Sequence, residues 1–288
     1  MRGWLVGLAL LLAAPAIAQP SAVAQPSAIA QPSAIERGRA LGEGIMACGN
    51  CHTPKDARGE IAGMALAGGV VFNERAFRAI APNITPDMET GIGRWTDAQI
   101  ARAVREGIRP DGSVIGPPMP MELYRGIADA DLAALIAWLR SVPPVRNAVA
   151  RGEYFIPLPA SYGPPVGSVP PPADSAIERG AYLAGPLGHC IDCHTPMVRG
   201  QRDHARTGQG GQEFDGPWGV SVARNITPHP VSGIGAWSDA EIARAITQGV
   251  APSGRPLSPP MGYAYYARLS AGEIADLIAY LRSLPPQP

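Results

Sequence analysis

Cys48-Gly49-Asn50-Cys51-His52-Thr53-Pro54 and Cys190-Ile191-Asp192-Cys193-His194-Thr195-Pro196 hold all four cysteines of the chain, and each pair of thiols is followed at once by a histidine. Two cysteines three apart on a turn entering a helix can each form a thioether to a haem vinyl group, and the next residue is then held under the iron as its axial ligand. The pattern predicts two covalently bound haem c groups, held by Cys48, Cys51, Cys190 and Cys193, with His52 and His194 on the metal. Three other readings explain less. Structural disulfides would not need a histidine after the second Cys. A thioredoxin-like pair needs a βαβ surround, and a zinc site would have to draw two knuckles together from separate copies.

Outward from these motifs the chain repeats itself at the same spacing. Glu36-Arg37-Gly38 returns as Glu178-Arg179-Gly180, Asn83-Ile84-Thr85-Pro86 as Asn225-Ile226-Thr227-Pro228, and Trp95 as Trp237, each displaced by 142 residues. From Asn83 to Ala103, 14 of 21 positions match Asn225 to Ala245, so the chain is a duplication.

Each copy should carry three helices. The first is expected over about Ile35–Met46 and Ile177–Leu187. The second begins at Thr96 with Gln99 and at Ser238 with Glu241, the pattern of a capping box. The third follows Leu132, Leu135, Ile136 and Leu139, and again Ile274, Leu277, Ile278 and Leu281, before a Pro-Pro stop. Gly38 and Gly180 would let that helix approach closely through Trp138 and Tyr280. No convincing strand alternation is visible, so the expected class is all-α: domains at 35–146 and 176–288, joined by a semi-rigid Pro-rich linker at 147–175.

A low-spin electron carrier needs a second axial ligand. After the leader, the first copy has a single histidine, His52, already committed to its own haem. Met119 in Pro117-Pro118-Met119 and Met261 in Pro259-Pro260-Met261 each lie 71 residues after the first Cys of their own motif, and a thioether sulfur raises the potential of haem iron. They are the expected sixth ligands. Met121 competes in the first copy, but its counterpart is Tyr263; His189, His204 and His229 have the counterparts Ala47, Ala62 and Asp87. Trp95 and Trp237, each after Gly-Ile-Gly, could donate an indole N–H to a haem propionate or simply pack in the core.

Residues 1–18 read as a cleaved secretory signal: Arg2, an apolar run from Trp4 to Leu12 shorter than the ~20 residues that span a bilayer, then Ala16-Ile17-Ala18. A leader at 19–34 follows, with Gln-Pro-Ser-Ala recurring at 19, 25 and 31. The balance of 24 basic and 24 acidic residues lacks the cationic excess of a nucleic-acid or anionic-membrane binder, so the expected partner is another protein. No transmembrane anchor is expected in the mature chain.

Taken together, the Glu-Arg-Gly start, Cys-x-x-Cys-His-Thr-Pro, Asn-Ile-Thr-Pro, Gly-Ile-Gly-x-Trp, Pro-Pro-Met and the Leu-Ile-Ala-Trp/Tyr-Leu-Arg-Ser ending resemble the cytochrome c subunits of bacterial periplasmic alcohol, gluconate and aldehyde dehydrogenases. The resemblance implies two tandem cytochrome c domains and a periplasmic carrier, associated with the membrane through a partner at most. It would pass electrons from a partner dehydrogenase to another cytochrome or a terminal oxidase. That family often has three haem domains and a C-terminal anchor, whereas this sequence shows two motifs and ends at Pro288. The alternative is a dihaem enzyme, such as a peroxidase or a thiosulfate dehydrogenase, in which one iron meets a substrate; matched Pro-Pro-Met segments speak against it.

Overall fold

The computed structural model describes Met1, residues 32–216 and residues 218–288; the expected signal peptide beyond Met1 and the leader up to residue 31 lie outside the described residues. The Ser33 hydroxyl accepts from the Glu36 N–H while the Glu36 carboxylate accepts from the Ser33 N–H, a reciprocal cap that starts α1, Ala34–Ala40. Leu41–Ile45 then winds as a π turn, closed by Met46 N–H donating to Leu41 O at 3.0 Å. The wide turn leads to Ala47 in the left-handed region (φ 46°), which swings the chain into α2, Cys48–His52. α3, Asp97–Glu106, opens on the Thr96–Gln99 capping box; α4, Met121–Tyr124, and α5, Asp129–Ser141, complete the first copy.

The second copy repeats this path with α6, Ala176–Tyr182, a π turn at Leu183–Leu187 and α7, Cys190–Cys193. α8, Asp239–Gln248, follows on its Ser238–Glu241 box, then α9, Tyr263–Tyr266, and α10, Ala271–Ser283. Here Pro186 sits inside the π turn and His189 takes the left-handed position (φ 43°) before the motif. The first helix of each copy is thus shorter than expected, because it changes pitch to aim the cysteines.

Leu132, Leu135, Ile136 and Leu139 are buried on α5, as are Ile274, Leu277, Ile278 and Leu281 on α10, each worth about 1.5–3 kcal/mol. α5 rests on α1 and α10 on α6, where a β-carbon on Gly38 would fall 1.9 Å from Ala134 O and one on Gly180 1.9 Å from Asp276 O. Only glycine permits that approach. Arg37–Asp131 (2.8 Å) and Arg179–Asp276 (2.7 Å) tie the same helix pairs.

The expected all-α class does not hold. β1, Lys55–Asp56, pairs with β2, Gly59–Glu60; β3, Val71–Glu74, pairs antiparallel with β4, Phe77–Ile80, in the register Val71 opposite Ile80. β5, Glu153–Tyr154, adds to the free edge of β4. In the second copy β6, Met197–Val198, pairs with β7, Gln201–Arg202, and β8, Glu213–Gly216, with β9, Gly219–Val222. These strands are two to four residues long, too short for a period-two pattern to stand out, and they are held by their turns and by what they cover.

β5 comes from the Pro-rich segment, which lies along the first copy: Tyr154 OH donates to Pro117 O at 3.0 Å, Tyr162 OH to Ile115 O at 2.9 Å, and Val166 N–H to Glu106 Oε1 at 3.0 Å. A single buried apolar cluster runs through both copies, with the two π turns in contact, and everything from Pro32 to Pro288 forms one compact unit. Tyr182 of the second copy crosses to the start of α5, accepting from Ala128 N–H at 3.0 Å and donating to Asp131 at 2.9 Å. No helix among the described residues is long and apolar enough to cross a membrane.

Candidate haem site

His52 closes α2, and its Nδ1 lies 2.8 Å from Pro82 O; His194, just after α7, has its Nδ1 2.6 Å from Arg224 O. A carbonyl only accepts, so Nδ1 carries the proton in both rings, and among the described hydrogen bonds neither Nε2 is used. Burial holds both imidazoles below the usual histidine range, which keeps them neutral, the form that ligates metal. Pro82 and Arg224 immediately precede the two Asn-Ile-Thr-Pro segments. In each, the Asn side chain accepts from the Thr N–H and hydroxyl, between 2.7 and 2.9 Å, and anchors the chain end beyond the last helix by donating to Val145 O or Gln287 O at 2.7 Å. These segments orient the histidines, a role the sequence repeat marked without explaining.

Burial pushes the Cys48 and Cys193 thiols up to about 12, the Cys190 thiol up to about 11, and the Cys51 thiol upward as well. That is the opposite of the depressed value an activated thioredoxin-like thiol needs. None of the four is in a disulfide, and among the described residues no three His, Cys, Asp or Glu side chains converge as a metal cluster.

All four cysteines, both motif histidines, Met119, Met261, Trp95 and Trp237 line one continuous cavity of about 1090 Å³, larger than the ~300–1,000 Å³ of an ordinary ligand pocket. Its walls are mostly apolar, with Ile45, Leu135 and Leu139 from the first copy and Ile242, Leu277 and Leu281 from the second. The two motifs, one from each copy, line the same cavity. An apolar slot in each half, with paired thiols and an oriented neutral imidazole, fits a covalently attached haem.

The Met119 and Met261 segments are each held by a hydrogen bond from another residue of the cavity wall. Pro117 O accepts from Tyr154, and Pro259 O accepts from Ser221 Oγ at 2.6 Å. Met121, the competing methionine, is fully buried in the core and off the cavity. His204 and His229 are also away from the cavity, whereas His189 lines it, edge-on to Tyr124 with ring centroids 6.2 Å apart. Neither Trp95 nor Trp237 donates its indole N–H in any described hydrogen bond, and Arg140 and Arg282 hold the two Trp carbonyls from the last helices.

The sequence reading missed Tyr124 and Tyr266, buried residues on the cavity wall; they are counterparts at the repeat spacing, so carrying the overlay past the methionines would have found them. It also missed Arg109, a half-buried cation on the lining that donates to Val114 O at 2.8 Å and has no carboxylate partner among the described ion pairs. No repeat signal marks it, because its counterpart is Ala251.

The family model described as cytochrome c matches this sequence twice, at residues 35–143 and 177–285. The chain is 33% identical over 263 residues to a subunit of the nicotinate dehydrogenase of Pseudomonas putida, covering 86% of this chain but 21% of that protein. It is 32% identical over 250 residues to a diheme cytochrome c-type protein of Cereibacter sphaeroides, covering 83% of this chain and 77% of the relative. It is 32% identical over 264 residues to the cytochrome c subunit of the quinone alcohol dehydrogenase of Gluconacetobacter polyoxogenes, covering 84% of this chain and 54% of that relative. The chain therefore spans about a fifth and about half of the length of the two dehydrogenase components it matches. The resemblance carried by the motifs is a relationship along most of this sequence.

Proposed function

We propose that this chain, which belongs to the cytochrome c family, is a periplasmic dihaem electron carrier that accepts electrons from a partner dehydrogenase and delivers them to another cytochrome or a terminal oxidase. One observation carries the reading: two attachment motifs, two histidines with Nδ1 engaged and two methionines line a single apolar cavity. When bound, haem c supplies reversible one-electron chemistry. Cys48 and Cys51 would hold one group by thioethers, and Cys190 and Cys193 the other. His52 and His194 would each offer Nε2, and Met119 and Met261 a thioether sulfur, closing both coordination spheres to substrate. Trp95 and Trp237 would donate to the propionates.

With haem in place, the apolar side chains beside Tyr124 and Tyr266 would shield it from water, which favours electron exchange over ligand chemistry. The names of the relatives support a dehydrogenase as donor, since two of the three are subunits of dehydrogenases. The signal expected at residues 1–18 supports the periplasm, where c-type attachment takes place.

The absorption spectrum of the oxidised protein tests the reading. A weak far-red band marks methionine on iron, and Met119→Ala and Met261→Ala should each remove about half of it. A high-spin wild-type spectrum or turnover with peroxide would instead favour a dihaem enzyme, and copurification from the native host would identify the dehydrogenase.

A further inference from the structure

Asn50 lies between the two cysteines of the first motif, yet its side chain reaches into the second copy. Its Nδ2 donates to Pro260 O at 3.2 Å, and Pro260 is the residue immediately before Met261. The direction of the amide is set by Lys55, whose Nζ donates to Asn50 Oδ1 at 3.0 Å and to Asn50 O at 2.9 Å. The side-chain oxygen is thus taken, and the NH2 group is the one that faces the Met261 segment. Contacts on either side fix the same approach: Tyr265 OH donates to Glu60, and Arg268 pairs with Glu43 at 2.9 Å. Gly49 leaves room for Tyr265, whose hydroxyl would lie 2.5 Å from a β-carbon there.

The converse contact is missing. The counterpart of Asn50 is Asp192, which has no hydrogen to donate and is paired with Arg202 at 2.6 Å. Among the described hydrogen bonds none reaches Pro118 O, the counterpart of Pro260 O; the first copy's segment is held at Pro117 O by its own Pro-rich strap.

We propose that Asn50 is a positioning residue for the second haem: through Pro260 O it sets where the Met261 sulfur sits, so that ligation in the second copy depends on the first copy's attachment helix and not the reverse. The proposal rests on the reading of Met261 as a ligand. A sulfur held less firmly binds iron less completely, and because a thioether raises the potential, its partial loss lowers the potential of that haem alone. The polypeptide links are one-way: Lys55 orients Asn50, Asn50 holds Pro260, and Pro260 carries Met261.

The test uses the oxidised two-haem protein, with haem content per chain and far-ultraviolet circular dichroism confirming that each variant is loaded and folded. Asn50→Asp, which copies the second motif, and Asn50→Ala should weaken the far-red band by up to half and shift one of the two potentiometric waves to lower potential. Asn50→Gln, which keeps a donor amide, should retain more of the band than Asn50→Asp. In a Met261→Ala background Asn50→Ala should change the remaining band no further, whereas in a Met119→Ala background it should erode what is left. An undiminished band in Asn50→Ala, or an equal loss in the Met261→Ala background, would overturn the proposal while leaving the ligand reading intact. A full band in Met261→Ala itself would sink the ligand reading and this proposal with it.

Discussion

The two copies share their cofactor machinery and differ in how they are held. In both, a reciprocal cap or a Ser cap starts the first helix, a π turn aims the cysteines, a backbone carbonyl orients the histidine, and an Arg from the last helix meets the first Asp of the middle helix: Arg140 with Asp97 at 2.9 Å and Arg282 with Asp239 at 2.6 Å. Beyond these shared features the correspondence lapses, on the cavity wall as well as away from it. The first copy carries the strap and its β5 strand, while the second contributes Tyr182 to the contact between them, where its counterpart is Ala40. Duplication preserved what haem attachment needs, and the interface was left free to become one-sided.

The largest effect expected from breaking this equivalence is loss of a cofactor. Cys48→Ala with Cys51→Ala, and separately Cys190→Ala with Cys193→Ala, should each reduce the covalent haem content by half, measured as pyridine haemochrome per chain. Either half falling to zero would show that attachment in one copy depends on the other.

Gly38→Ala and Gly180→Ala come next, since each β-carbon would overlap a backbone oxygen that belongs to a packed helix. Each should cost about 1–3 kcal/mol in denaturant unfolding. Similar losses would support equivalence at the helix crossing, and a much smaller loss in one copy would break it.

Tyr182→Phe removes one hydroxyl that serves two partners across the copies, and about 1 kcal/mol of stability should go with it. A global loss in one cooperative transition is the expected result; two separated transitions would mean the copies unfold apart. Smallest, Thr96→Ala and Ser238→Ala should each lose about 1 kcal/mol or less from the middle-helix cap, equally in both copies.

Much of the site was legible from spacing. Cysteine, histidine and methionine positions repeat at one interval, and the structure brings all of them to one cavity. The amphipathic helices were legible too, since ten or more residues give the period room to show. The short strands were not: the alternation along Phe77–Ile80, with Phe77 and Ala79 buried, lasts four residues, and the strand that joins it comes from a Pro-rich segment about seventy positions later. The π turns were equally hidden, because Leu41–Ile45 and Leu183–Leu187 make the same kind of wide turn with different residues, Gly44 in one standing where the other has Pro186.

By itself the sequence determined the cofactor chemistry, the duplication and the candidate ligands, all of which follow from residue type and spacing within one copy. Tertiary structure alone decided that the two motifs open onto a shared cavity, that Tyr182 bonds to the start of α5 in the other copy, and that Asn50 meets Pro260 from 210 residues away. The physical reason is that helix periods and ligand spacings record local geometry, whereas the face one copy presents to the other depends on how two finished cores pack, and no short stretch of chain carries that information.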